Sequence, residues 1–256
     1  MKKFASFMLM GILAAGAYAQ PKVIAHRGYW KTDGSAQNSI RALVKADSVG
    51  CYASEFDVWM TKDGELVVNH DPTVGGVDIE HSTAKEVCAQ KLANGEHVPT
   101  LDQYLQAAAK LPIRLVLEIK PQDSRKHEKE LVTKSLEKIK EYGLADRTDY
   151  ITFSDDAYRN LVKGAPAPGG VQFLGGDYTP GQIKSTGGAG IDYSIKVIRK
   201  HPEWISEAHA MGLTVNVWTV NKEKDMRWCI EHKVDFITTN EPELLQSILA
   251  EKAVKK

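Results

Sequence analysis

Two charged side chains interrupt an otherwise apolar run of the sequence. The stretch RLVLEIKP, residues 114–121, places Glu118 and Lys120 among Leu, Val and Ile. If this run is a strand, its side chains alternate between two faces, so the two charges share one face. Burying an unpaired charge costs several kcal/mol or more. The pattern therefore indicates either a structural ion pair or a site that uses both charges.

Two acidic residues elsewhere have the same spacing. Glu55 and Asp57 stand two residues apart in YASEFDVWM, residues 52–60. Such a pair is common on an exposed strand face or in a salt bridge. If Glu118 faces the same place, three carboxylates repel one another, and at least one pKa rises unless a cation neutralises them. One divalent ion would do so, and all-oxygen ligation favours Mg²⁺, Ca²⁺ or Mn²⁺ over Zn²⁺.

Two histidines end apolar runs and could move protons near neutral pH. His26 follows KVIA, and His70 ends LVVNH. Each is a candidate general base or general acid. Arg27 and Lys120 beside a metal would make a positive pocket suited to an anion, most naturally a phosphate. A lone histidine is more often structural, so the joint arrangement, rather than any single residue, indicates a site.

These residues need a fold that gathers the ends of several strands. Apolar runs alternate with helix-like stretches along residues 20–256, which predicts a parallel sheet. Eight such units in this length favour a single (β/α)8 TIM barrel over an open doubly wound sheet. The predicted strands are KVIAH, YASEFDVWM, IRLVLEIK, TDYITF, VQFLGG, GAGIDYS, LTVNVWTV and VDFITT.

Active sites of such barrels lie at the C-terminal ends of the strands. The candidate residues above fall at those ends, as do Asn216 and Trp218, which share a face and could equally be ordinary barrel packing. The region between His70 and Pro99 is longer than a plain connecting loop. We therefore expect a small insertion after the second strand, with its own hairpin or short helix.

The first 19 residues have the pattern of a signal peptide. Lys2 and Lys3 precede an apolar stretch that ends in Ala17-Tyr18-Ala19, a small-x-small cleavage site. We expect cleavage near Ala19 and export to the periplasm or the medium, with no stable membrane anchor. Residues 20–256 then form one domain.

The charge balance and the cysteine spacing do not indicate a nucleic-acid partner or a cysteine-based metal site. The chain has 33 basic and 33 acidic residues, so nothing indicates a nucleic-acid partner. An odd number of cysteines (Cys51, Cys88 and Cys229) leaves at least one free thiol in an exported protein. Without a CxxC or Cys/His spacing, we interpret them as small buried residues.

A series of motifs resembles the glycerophosphodiester phosphodiesterases over nearly the whole mature chain. The motifs are IAHRG, QNSIRAL, SEFDVWMTKDGELVVNHD, VPTLDQYL, LVLEIK, TFS, NVWTVN and VDFITTNEP. The resemblance implies a TIM barrel of the phospholipase-C-like phosphodiesterase group. It also implies cleavage of a small-molecule glycerophosphodiester to glycerol 3-phosphate and an alcohol, with one divalent metal ion, Mg²⁺ or Ca²⁺.

The resemblance further implies a role for each candidate residue. These are the catalytic histidines His26 and His70, the metal ligands Glu55, Asp57 and Glu118, and the substrate-binding residues Arg27, Lys120 and Trp218. The chain departs from the family pattern twice. Gln37 stands where the family usually has an acidic residue, and Asn240 stands where it often has an aspartate.

Related functions are the alternatives to this hypothesis. A phosphodiesterase of the same group could act on a lysophospholipid, a phosphoinositide or a teichoic-acid-like polymer. The small polar loops GAPAPGG and STGGAG favour a soluble head-group diester instead. A non-catalytic phosphate-ligand-binding protein is a weaker alternative, because both histidines and all three carboxylates are present.

Overall fold

A closed barrel of parallel strands surrounded by helices positions every candidate residue. The computed structural model describes residues 20–165 and 170–254, so the predicted signal peptide lies outside the described residues. Within those ranges eight parallel strands follow one another around the barrel, and the first strand pairs with both the second and the last to close it. The barrel strands are β1 (Lys22–Ala25), β2 (Ala53–Met60), β6 (Arg114–Ile119), β7 (Thr148–Thr152), β8 (Val171–Phe173), β9 (Gly190–Ser194), β10 (Thr214–Trp218) and β11 (Phe236–Thr239).

Helices return the chain from each strand to the next. They are α1 (Ile40–Ser48), α2 (Ala84–Cys88), α3 (Leu101–Ala108), α4 (Arg125–Glu141), α5 (Asp155–Gly164), α6 (Pro180–Thr186), α7 (Ile195–Lys200), α8 (Glu203–Ala210), α9 (Glu223–Glu231) and α10 (Pro242–Val254). Side-chain caps fix several starts: Thr100 and Thr179 each form a capping box at the first turn of α3 and α6. The (β/α)8 barrel predicted from the alternation of runs is confirmed.

Apolar side chains form separate layers inside and outside the barrel wall. The large layer between strands and helices includes Phe56, Tyr104 and Leu117, all fully buried. A small plug inside the barrel contains Ile24, Ala53, Val116, Ile151 and Leu174. This plug fills the barrel below the polar residues, so the chemistry is confined to the C-terminal ends of the strands.

An insertion follows the second strand, as predicted. β3 (Leu66–Val68) runs antiparallel to the end of β2, and a small hairpin of β4 (Thr73–Val74) and β5 (Val77–Asp78) leads into α2. A separate apolar cluster that includes Trp59, Ile79 and Val98 packs under this insertion. The hairpin of β2 and β3 brings the chain back, so that His70 lies near the barrel mouth.

One helix was not predicted from the sequence. α7 follows β9 directly, with the Ser194 side chain accepting a hydrogen bond from the Val197 backbone N–H. Of the two loops that we judged small and polar, residues 166–169 of GAPAPGG lie outside the described residues. Among the helices that the structure does describe, none is both long and apolar enough to cross a membrane.

Candidate active site

Three carboxylates meet at the ends of two neighbouring strands. Glu55 and Asp57 project from β2, and Glu118 projects from β6, where the strand register pairs it with Asp57. One oxygen from each carboxylate lies within 4.8 Å of the others. All three residues are buried, with exposures of 2%, 1% and 7%. The period-two argument from the sequence therefore identified residues that do come together.

Crowding of these carboxylates changes their proton affinities in opposite directions. Burial and then the neighbouring Asp57 raise the pKa of Glu118 to about 8. Burial, together with Asp57 and Glu118, also raises the pKa of Glu55 well above its usual value. Burial opposes ionisation of Asp57 too, but Lys120, His70 and a hydrogen bond from Asn38 hold the pKa of that carboxyl below its ordinary value.

Lys120 lies against the carboxylates rather than along the cavity wall. Its Nζ is 2.8 Å from Glu118 Oε1 and 3.3 Å from Asp57 Oδ1. Burial alone would lower its pKa, but the two carboxylates outweigh that effect and the pKa is raised. One ammonium group balances only part of the charge of three carboxylates.

The donor set fits a hard divalent cation. Glu55 Oε1 is buried and accepts no hydrogen bond from any residue that the structure describes. A carboxylate oxygen is an acceptor only, and leaving it unsatisfied in a buried place is costly. Oxygen-only ligation of this kind suits Mg²⁺ or Ca²⁺. The carboxylate cluster (Glu55, Asp57 and Glu118) could therefore hold a metal ion.

His26 stands at the end of β1 and lines the cavity beside the carboxylate cluster. Its Nδ1 is 2.8 Å from Asn240 Oδ1. Burial and the positive charge of Arg27 lower its pKa to about 4. The imidazole is therefore neutral at pH 7 and able to accept a proton.

His70 reaches the same cavity from the insertion. Its Nδ1 is 2.7 Å from Asp71 Oδ1, and because a carboxylate can only accept, Nδ1 carries the hydrogen. A carboxylate at this distance is also an ion-pair partner for a protonated ring. The two histidines thus face one cavity in different electrostatic surroundings.

Arg27 is held at the cavity edge by Gln37. Its Nη1 donates to Gln37 Oε1 at 2.5 Å, and its backbone N–H donates to Glu55 Oε2 at 2.6 Å. Its Nε is buried, and no described group accepts from it. Gln37 is a neutral acceptor that engages one end of the guanidinium and leaves the rest of it available to a ligand.

An apolar wall faces the charged groups across the cavity. Trp218 at the end of β10 and Phe153 after β7 meet edge to face, with ring centroids 5.6 Å apart. Trp218 Nε1 donates to the Asp192 backbone carbonyl at 2.9 Å, which fixes the indole against the wall. The cavity encloses about 110 Å³, and Ile151 and Leu174 line its floor.

The eight predicted site residues divide into two groups. Six of them line the cavity, and the remaining two are Lys120, which contacts Glu118 and Asp57, and Asp57 itself; neither is part of the cavity lining. The six lining residues are His26, Arg27, Glu55, His70, Glu118 and Trp218.

Two site residues were missed from the sequence. Asn38 donates through Nδ2 to Asp57 Oδ2 at 2.8 Å and accepts from the Asp57 backbone N–H at 3.2 Å, so it orients that carboxylate. Its place just before an amphipathic run is also typical of a helix cap, a role that Ser39 performs. Asp192 lines the cavity with 1% exposure. Its place inside the apolar strand GIDYS gave the same signal as Glu118.

The chain is similar to proteins of one known family over most of its length. The model of the Glycerophosphoryl diester phosphodiesterase family matches residues 26–244. A glycerophosphodiester phosphodiesterase of Caldanaerobacter subterraneus is 30% identical over 243 residues, which cover 89% of this chain and 97% of that protein.

Solved structures of phosphodiesterases are also similar to this chain. The crystal structure of a glycerophosphodiester phosphodiesterase from Parabacteroides distasonis superposes with a TM-score of 0.90 and 46% identity, over 91% of this chain and 98% of that chain. A phosphodiesterase from Oleispira antarctica, solved in complex with its product sn-glycerol-3-phosphate, has a TM-score of 0.80 at 22% identity. The match covers 90% of this chain and 97% of that one, and it shows the common fold.

Proposed function

Because the chain belongs to the Glycerophosphoryl diester phosphodiesterase family, we propose that it hydrolyses glycerophosphodiesters to glycerol 3-phosphate and an alcohol in a metal-dependent reaction. The observation that carries this proposal is the carboxylate cluster with its unsatisfied Glu55 oxygen, facing a cavity shared by two histidines. A divalent ion bound by Glu55, Asp57 and Glu118 would supply Lewis-acid stabilisation of charge on the phosphoryl oxygens.

The basic residues bind the phosphate in this proposal. Arg27 has a buried Nε without an acceptor among the described residues, so a phosphate oxygen would satisfy it. Lys120, bonded to Asp57 and Glu118, adds positive charge beside the same cavity. Charge-assisted contacts of this kind stabilise the charge that develops on the phosphoryl oxygens during attack.

The two histidines divide the proton transfers. His26 is neutral at pH 7, because burial and Arg27 lower its pKa to about 4, so it takes a proton from the attacking oxygen as the new O–P bond forms. That oxygen belongs to water, or to the neighbouring glycerol hydroxyl, in which case water opens the resulting cyclic phosphate to glycerol 3-phosphate in a second step. His70, whose ring is oriented by the contact of its Nδ1 with Asp71 Oδ1, is the general acid of this proposal. It gives its proton to the leaving oxygen as the P–O bond to the alcohol breaks.

Product release from defined diesters tests the reaction. Residues 20–256 would be incubated with glycerophosphocholine or glycerophosphoethanolamine, and glycerol 3-phosphate would be followed in EDTA and then with Mg²⁺ or Ca²⁺. We expect metal-dependent release that His26→Ala and Glu118→Gln abolish. His97→Ala is the matched control, because that histidine is exposed in the insertion. A folded protein that releases no product with either metal would contradict the proposal.

We also propose that the chain is exported after cleavage near Ala19. Lys2, Lys3, the apolar stretch and the Ala17-Tyr18-Ala19 site support this, and all lie in residues 1–19, outside the described part. N-terminal sequencing of protein from fractionated cells would test it. We expect a mature chain that begins at Gln20 outside the cytoplasm, and an intact Met1 in the cytoplasmic fraction would contradict it.

A further inference from the structure

One oxygen atom at the site has two polar contacts. Asn240 Oδ1 lies 2.8 Å from His26 Nδ1 and 3.1 Å from Trp30 Nε1. Asn240 follows β11, whereas Trp30 lies in the loop after β1. The three side chains therefore form a short hydrogen-bonded chain that ends at the cavity.

The chemistry of the indole fixes the orientation of the amide. An indole N–H is a donor only, so the Asn240 atom that it contacts must be the oxygen and not the NH2 group. The same oxygen faces His26 Nδ1, and two acceptors cannot bond to each other. Nδ1 therefore carries the hydrogen, and Nε2 of the neutral ring carries the lone pair.

We propose that Trp30 and Asn240 are positioning residues that hold His26 in the Nδ1–H tautomer, so that Nε2 is the atom that accepts a proton. This inference rests on the proposed function in one respect, the role of His26 as the base. Trp30 touches neither the carboxylate cluster nor the cavity in the contacts that the structure gives for it; it acts through the amide alone.

Neighbouring contacts hold both positioning residues in place. Tyr29 donates to Glu243 in the first turn of α10, and Lys31 Nζ lies 2.5 Å from Glu241 Oε1, so residues 29–31 are held against the segment that follows β11. The Asn240 backbone N–H donates to Asn221 Oδ1 at 2.8 Å. The indole and the amide thus meet at a fixed junction between the first and last strands.

A neutral amide needs this support more than a carboxylate would. Rotation of the Asn240 amide by half a turn would present NH2 to His26, whose Nδ1 would then accept and whose Nε2 would carry the hydrogen. That tautomer cannot act as a base through Nε2. An aspartate has acceptor oxygens only, so it holds the Nδ1–H tautomer without help from Trp30.

Kinetics of four proteins test the proposal: wild type, W30F, N240D and the double variant W30F/N240D. Phenylalanine keeps the aromatic packing but removes the N–H. We expect W30F to lower kcat for glycerophosphocholine by about tenfold with little change in KM, since one hydrogen bond that selects the tautomer is lost. In the N240D background the same substitution should change kcat less than twofold.

The comparison separates positioning from packing. If Trp30 only supports the fold, W30F lowers kcat by the same factor in both backgrounds, and the proposal is wrong. An unchanged kcat in W30F would overturn it as well. Thermal melting of all four proteins checks that each is folded at the assay temperature.

A spectroscopic measurement tests the tautomer without any turnover. In ¹⁵N-histidine-labelled protein, long-range ¹H–¹⁵N spectra distinguish a protonated from an unprotonated ring nitrogen, and H26A assigns the His26 signals. We expect protonated Nδ1 and unprotonated Nε2 in wild type, with a mixture in W30F. A wild-type ring protonated at Nε2 would overturn the inference. Because this readout needs no substrate, its result stands even if the proposed reaction is not found.

Discussion

At the scale of single residues, Asp192 is the least expected group in the cavity. It lies at 1% exposure on β9, and its Oδ1 has no hydrogen-bond partner in the described part of the chain. Burial raises its pKa to about 7, although a hydrogen bond from Asn216 acts in the other direction. A carboxyl of this kind makes the folded protein bind a proton that the unfolded chain has already released.

This leads to a prediction about the pH dependence of stability. Between about pH 4 and pH 7 the folded state holds more protons than the unfolded state at Asp192, so the free energy of unfolding falls as the pH rises. The loss from this group reaches up to about 4 kcal/mol for a shift of about three pKa units. Asp192→Asn should remove this loss, so the variant should gain stability relative to wild type between pH 5 and pH 8.

Urea denaturation in EDTA at pH 5 and at pH 8 would measure the difference in the free energy of unfolding between wild type and Asp192→Asn. Asp146→Asn is the matched control, because that carboxyl is exposed, and it should leave the pH dependence as in wild type. A difference between wild type and Asp192→Asn that stays constant from pH 5 to pH 8 would show that the carboxyl does not titrate in this range.

Residue types and period-two spacing were enough to identify the charged groups. Glu55, Asp57 and Glu118 could be found because a charge inside an apolar strand is costly to bury unless it is paired or binds a ligand. Asn38 could not be found in the same way, because its role depends on a left-handed backbone with φ of 61° that turns its amide toward Asp57. Sequence spacing does not report such a local conformation.

At the scale of elements, the loop after β1 must approach α1 very closely. Gly28 has φ of +73°, and a Cβ built there would lie 2.6 Å from Ala42 Cβ and 2.7 Å from the Ala42 backbone carbon. Its N–H donates to the Glu55 backbone carbonyl at 3.0 Å. The loop that carries His26 and Arg27 can take its position only because no side chain is present at Gly28.

We therefore predict that Gly28→Ala damages both stability and activity. The left-handed backbone costs about 1–2 kcal/mol for alanine, and the clash with α1 adds roughly 1–3 kcal/mol. Gly50→Ala is the matched control, since Gly50 has φ of +72° and no atom lies within 4 Å of a Cβ built there. Denaturation and product release should show a small stability loss with normal kcat for Gly50→Ala. Equal effects of the two substitutions would mean that the close approach is unimportant.

The order and type of most elements could be predicted, whereas one helix could not. Alternation of apolar runs and amphipathic stretches gave the eight barrel strands, and the length of the region before Pro99 gave the insertion. α7 was missed because IKVIRK, residues 195–200, is too short for a helical period and follows β9 without a turn residue. Its start depends on a cap from Ser194, the residue that also ends β9.

At the scale of the whole molecule, the carboxylate cluster links metal binding to stability. A ligand that binds only the folded state adds about 2.7 kcal/mol to the free energy of unfolding at a concentration one hundred times its Kd. For a domain of this size that corresponds to roughly 5–10 °C in Tm. We predict that Mg²⁺ or Ca²⁺ raises the Tm of the EDTA-treated protein by this amount at pH 7.5.

Calorimetry with and without the ion would test this, and it requires no substrate. Glu118→Gln should lose most of the metal-dependent increase in Tm, while Glu65→Gln, an acidic residue outside the carboxylate cluster, should keep it. If both variants respond to the ion as wild type does, the ion binds somewhere other than the carboxylate cluster.

Pairing of the first strand with the last has a consequence for biosynthesis. In a chain still being translated, His26 and the three carboxylates have already been synthesised, yet β11, which pairs with β1 over four residues, is the last barrel strand to be made. Asn240, which contacts His26, follows that strand. An unfinished or C-terminally truncated polypeptide would therefore lack both the strand that closes the barrel and the amide beside His26. A nascent chain would therefore be inert toward diesters until β11 and Asn240 have been synthesised.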